Sequence, residues 1–115
     1  MLVDVVRRLV VAGGCLGMAL LATQVQAEGP NEICLTYANG QFEPKEPTVP
    51  ADAPLTIRVK NMEGKAIEFE SETLKIEKVI AANSEAVLNV RAMKSGRYEF
   101  YNDFNEKARG FVNVQ

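Results

Sequence analysis

Leu55-Thr56-Ile57-Arg58-Val59-Lys60 alternates apolar and polar side chains at every step. A strand turns successive side chains to opposite faces, so Leu55, Ile57 and Val59 share one face and Thr56, Arg58 and Lys60 the other. The stretch is therefore a half-buried strand. The same period runs outward along the chain. Ile33, Leu35 and Tyr37 line one side of residues 33–38, Ala86, Leu88 and Val90 one side of 84–91, and Tyr98 and Phe100 one side of 97–101; residues 111–115 close the chain as a short strand. Turn-forming clusters separate these runs: Asn39-Gly40, Pro50 to Pro54, Asn61 to Gly64, Ala81-Ala82-Asn83 and Ser95-Gly96. Pro44 and Pro47 flank a short extended piece suited to a sheet edge, since proline cannot donate to a ladder. Residues 103–109 are expected to form a single turn. Strands recurring at this spacing predict an all-β Greek-key β-sandwich of about seven or eight strands. Its expected core is Leu35, Phe42, Leu55, Ile57, Val59, Phe69, Leu74, Ile76, Leu88, Val90, Tyr98, Phe100 and Val112.

Composition narrows the chemistry. The chain has no histidine among its 115 residues. Ser-His-Asp and Cys-His catalysis lose their base, and histidine-ligated haem and Cys2His2 zinc lose their ligands. A blue-copper centre needs two imidazoles and a thiolate, so it too is excluded. With a net charge of −2 there is no basic footprint for nucleic acid.

The N-terminus reads as an export signal. Arg7 and Arg8 precede the apolar run 9–21, and Val25 and Ala27 occupy the small-residue positions of a cleavage site. The run is shorter than the roughly 20 residues a bilayer span needs. Residues 1–27 are thus expected to be a cleaved signal peptide of the Sec type, and residues 28–115 a single domain with no stable membrane insertion. Cleavage would remove Cys15 and retain Cys34, which is expected as a lone thiol. Cys34 falls in the first strand pattern, where a small half-buried side chain is the ordinary reading; a reactive thiol, an intermolecular bridge and a metal ligand are the alternatives.

One further stretch carries chemistry. In Ile67-Glu68-Phe69-Glu70-Ser71-Glu72 the carboxylates of Glu68 and Glu70 share a strand face, about 7 Å apart at the backbone. Glu77 follows in another strand-like run, and Asp103 follows the aromatic strand. Carboxylates are depleted in strands unless the face is wet. They form either a site for a hard or borderline cation or a solvated face paired with Lys65, Lys75 and Lys78.

The ordered series Phe42-Glu43-Pro44, Thr48-Val49-Pro50, Leu55 to Asn61, Ile67-Glu68-Phe69-Glu70-Ser71, Leu74 to Lys78, Lys94 to Phe104 and Gly110 to Val114 resembles the small bacterial cupredoxin-like proteins of the EfeO type. The resemblance spans about residues 33–115. It implies a cupredoxin-like sandwich in the periplasm that binds iron or copper, with periplasmic or inner-membrane iron-uptake components as partners. Activity of this kind is at most that of a ferroxidase accessory. The resemblance places the family's acidic positions on Glu68, Glu70, Glu77 and Asp103. Where relatives often carry histidine, this chain has Asn105. A metal-free interaction module docking by its acidic edge is the competing expectation.

Overall fold

The computed structural model describes residues 31–115; the expected signal peptide lies outside them. Nine strands build the domain: β1 (Asn31–Ala38), β2 (Gln41–Glu43), β3 (Thr48–Val49), β4 (Leu55–Asn61), β5 (Ile67–Ser71), β6 (Ile76–Ile80), β7 (Glu85–Val90), β8 (Gly96–Asn102) and β9 (Asn105–Val114). They form two sheets, ordered β2-β1-β4-β7 and β3-β9-β8-β5-β6. The chain passes from the first sheet at β4 to the second at β5 and β6, returns at β7 and crosses again at β8. These crossings give the Greek-key sandwich expected from the alternation. No helix among the described residues is long and apolar enough to cross a membrane.

Local chemistry explains the elements. Asn39 and Gly40 have φ of 52° and 74°, the pair of positive angles that a two-residue hairpin between twisted strands requires. They place Ala38 opposite Gln41. Leu55, Ile57 and Val59 are buried while Thr56, Arg58 and Lys60 are not. The segment around Pro44 and Pro47 lies along β9 as an acceptor. Lys45 O accepts from Phe111 N at 2.8 Å, Pro47 O from Asn113 N at 2.8 Å and Val49 O from Gln115 N at 3.0 Å. The ladder is built without the proline nitrogens, which fits the edge position expected for this piece.

Residues 103–109 do not form a single turn. The turn is Asp103 and Phe104 alone, with Asn102 paired to Asn105, and the chain continues as the ten-residue β9. The inward positions of β9 include Ala108 and Gly110, so their smallness hides the strand period that bulkier residues would display. Gly110 is small because the ring of Phe100 fills its side-chain space. Cys34 is half-buried on β1, as a strand residue should be, and in the full-length chain it is disulfide-bonded.

Between the sheets, Phe42 meets Phe69 and Phe100 edge-on at 5.7 and 5.2 Å, and Phe69 stacks on Phe100 at 5.4 Å. Edge-to-face contacts suit the ring quadrupoles. The expected core is buried, except that Ile76, Leu88 and Tyr98 are only partly covered. Ile67, Ile80, Ala108 and Val114 join it.

Candidate metal site

Ile67, Phe69 and Ser71 point into the sandwich, so Glu68 and Glu70 must point out of the second sheet. Antiparallel pairing then sets Glu70 opposite Glu77 of β6 on one side and opposite Tyr101 of β8 on the other. Asp103 comes in from the β8–β9 turn, where its backbone N–H donates to Glu68 O at 2.8 Å. One carboxylate oxygen each from Glu68, Glu70 and Asp103 lies within 4.8 Å of the others. Glu77 does not join this convergence; it forms a side-chain hydrogen bond with Glu68 instead. Three of the four carboxylates expected as ligands therefore converge, and the fourth, Glu77, stands across the ladder from Glu70.

The electrostatics are one-sided. Glu68 is raised from 4.5 to about 7, first by its hydrogen bond with Glu77, then by partial burial and by the charges of Glu77, Asp103 and Glu70. Burial and the charges of Glu77, Asp103, Glu72 and Glu106 also raise Glu70. Tyr101 is raised by burial and then by the same carboxylates, Glu70 foremost. The domain's ion pairs form elsewhere: Arg58 with Glu32 and Glu85, Lys94 with Asp52, Arg97 with Glu46, and Arg109 with Glu99 and Glu106. Among the described residues, Lys65, Lys75 and Lys78 make no ion pair with Glu68, Glu70, Glu77 or Asp103. The expected lysine pairing is thus absent there, and the face is acidic and solvated.

This arrangement has a pH signature in the metal-free protein. An acid raised from 4.5 to about 7 leaves the native state holding more protons than the unfolded chain within that window, so stability falls as pH rises through it. The thermal midpoint is expected to be higher at pH 5 than at pH 7.5. In Glu68→Gln that decline should shrink. Thermal unfolding followed by circular dichroism at the two pH values measures both. An unchanged decline in Glu68→Gln would show that other groups cause it.

Two buried amides hold this end of the sandwich, and neither stood out in the sequence. Asn61 Nδ2 donates to Lys65 O at 2.8 Å and Ala81 O at 3.1 Å, while its Oδ1 accepts from Glu63 N at 3.0 Å. This secures the loop that leads into β5. Asn102 Oδ1 accepts from Glu68 N at 2.9 Å and Phe104 N at 3.0 Å, and its Nδ2 donates to Tyr37 Oη at 3.1 Å. The available signal was an asparagine inside a strand pattern, where that residue is disfavoured.

The donor set discriminates between metals. An octahedral cation with bonds of about 2.1 Å separates its ligand oxygens by about 3.0 to 4.2 Å, so small rotamer shifts suffice to close this trio on one. Copper is a poor match. Cu(II) prefers imidazole and Cu(I) prefers thiolate or thioether. The chain has no histidine, Cys34 lies on a strand of the other sheet, Met93 packs against the core, and the exposed Met62 in the loop before β5 is a single thioether. The carboxylates thus suit a hard or borderline cation and do not make a copper centre.

Solved structures share the sandwich. The metal-binding domain of the Cu(I)-exporting P-type ATPase CopA of Streptococcus pneumoniae D39, solved with Cu(I), matches with a TM-score of 0.67 at 19% identity, covering 73% of this chain and 84% of that one. Reduced auracyanin of Roseiflexus castenholzii matches at 0.63 and 14% identity, covering 74% and 97%. Amicyanin of Paracoccus versutus matches at 0.59 and 15%, covering 77% and 87%. These likenesses concern the fold. An uncharacterized protein of Rickettsia prowazekii (strain Madrid E) is 26% identical over 105 residues, 84% of each chain. With two sheets in this order, and with residues 10–114 matching the family model of the cupredoxin-like domain, the chain belongs to the cupredoxin-like domain family.

Proposed function

We propose that this protein is an exported, periplasmic metal-binding accessory that holds iron through Glu68, Glu70 and Asp103, with Glu77 supporting Glu68, and serves an iron-uptake system of the EfeO type. The observation that carries the reading is the convergence of three carboxylates within 4.8 Å with no cation from the protein paired to them among the described residues. Glu32, Glu46, Asp52, Glu85, Glu99 and Glu106 each pair with an arginine or lysine; the converging three do not. Hard oxygen donors favour Fe(III) over Fe(II), so the site lowers the potential of bound iron. The electron released on oxidation passes to an acceptor supplied by a partner, and iron is cargo.

Native mass spectrometry of the purified protein, titrated with Fe(II), Fe(III), Mn(II), Cu(I) and Cu(II), tests this. One Fe(III) or Mn(II) adduct is expected, lost in Glu70→Ala/Asp103→Ala, with copper adducts weaker. Adducts that persist in the double variant would overturn the site, and a dominant copper adduct would overturn the choice of metal. A second reading, a metal-free module docking on a basic partner, draws on Phe104, which is 59% exposed beside Asp103. It gains ground if no metal binds stoichiometrically.

A further inference from the structure

We infer that Asn102 is the positioning residue of the carboxylate site, held in turn by the Tyr37 hydroxyl. The inference rests on the cation-site reading above. Asp103 and Glu68 lie far apart in sequence, and the local pairing of β5 with β8 consists of Phe69 with Asn102 and Glu70 with Tyr101. The ladder is irregular between Tyr101 and Asn102, so regular strand geometry alone does not set where Asp103 falls. The Asn102 side chain supplies the missing constraint. Its single oxygen takes the N–H of Glu68 and the N–H of Phe104 at once, tying the backbone of one ligand to the turn that carries another. The Asp103 N–H to Glu68 O bond at 2.8 Å then completes a closed clasp.

Asn102 is 2% exposed, so water does not compete for these bonds. Its nitrogen donates to the hydroxyl of Tyr37, a buried residue of the first sheet. The clasp is therefore anchored across the sandwich and cannot drift with β8 alone. A buried amide in this setting keeps its place only while every partner is present. Serine at this position is too short to reach both N–H groups and Tyr37 together. Phenylalanine at position 37 keeps the ring and deletes only the anchor.

Supporting residues behind metal ligands typically change affinity about 10- to 100-fold when removed. Mn(II) is the probe, its free fraction read by electron paramagnetic resonance at a temperature where every variant is folded by circular dichroism. Asn102→Ser is expected to weaken Mn(II) binding by about tenfold or more, and Tyr37→Phe in the same direction by a smaller factor. The bound-ion spectrum should broaden in both as the ligand geometry loosens. Val90→Ala is the control. It loosens the core where β7 pairs with Leu55, at the end of β4 away from the site, and should leave affinity and spectrum unchanged. If Asn102→Ser and Tyr37→Phe bind Mn(II) as tightly as Val90→Ala, the inference is overturned and the site reading stands. If the wild-type protein binds no Mn(II), the site reading falls and takes the inference with it.

Discussion

Replacing Gly110 with alanine is expected to cost about 3 kcal/mol of stability, the upper end of the overpacking range, for the addition of one methyl group. A Cβ at this position would lie 2.4 Å from Cζ of Phe100, 2.7 Å from its Cε1 and 2.5 Å from the carbonyl oxygen of Lys45. None of these can yield cheaply. Phe100 is packed between Phe42 and Phe69, and Lys45 O is the acceptor for Phe111 N. Relief in one direction disrupts the aromatic core, and in the other it lifts the proline-bounded edge segment from β9. Gly64→Ala is the matched control, because nothing lies within 4 Å of its added methyl. Urea unfolding of both variants measures the difference. Equal stabilities would contradict the packing described for β9.

Phe42→Ala should lose about 3–5 kcal/mol, the usual cost of emptying a buried aromatic site. A small domain has only about 5–15 kcal/mol in all, so this variant should stand near the edge of unfolding at 25 °C. Phe42 is the one buried residue of the three-residue β2, yet its ring touches aromatics of both sheets. Without it, β2 has no apolar reason to stay on β1, and Phe69 and Phe100 face a cavity. Phe42→Leu keeps much of the volume and should lose distinctly less. Chemical denaturation gives both values. A loss below about 1 kcal/mol for the alanine variant would contradict the role of Phe42 in holding β2 and filling the core.

Both effects bear on what the sequence displayed. Strands β4 and β5 were legible because each buries one face and exposes the other, so Leu55, Ile57, Val59, Phe69 and their polar neighbours alternate visibly. The start of β9 was not, because Ala108 and Gly110 occupy inward positions whose space other residues fill. Ile76 reads as core and is only partly covered, since β6 is a sheet edge. For the site, the shared face of Glu68 and Glu70 follows from a period of two. The nearness of Glu77 depends on register across the tight turn after β5, where Lys75 adopts φ of 61°. The arrival of Asp103 depends on β5 pairing with β8, and no local pattern announces that. The roles of Asn102 and Tyr37 were illegible for the same reason: a buried amide declares its partners only once the sheets are assembled. The missing histidine was visible from the start, and it separates the donor set here from a copper centre even though the fold is cupredoxin-like.

The central claim is that the outer face of β5 holds a cation between Glu68, Glu70 and Asp103. Anomalous diffraction from crystals grown with Mn(II), collected on either side of the manganese absorption edge, tests it most directly. The account predicts one strong anomalous peak within coordination distance of all three carboxylates, absent in crystals of Glu70→Ala/Asp103→Ala. A peak elsewhere on the domain, or none at this site in well-ordered crystals, would contradict it.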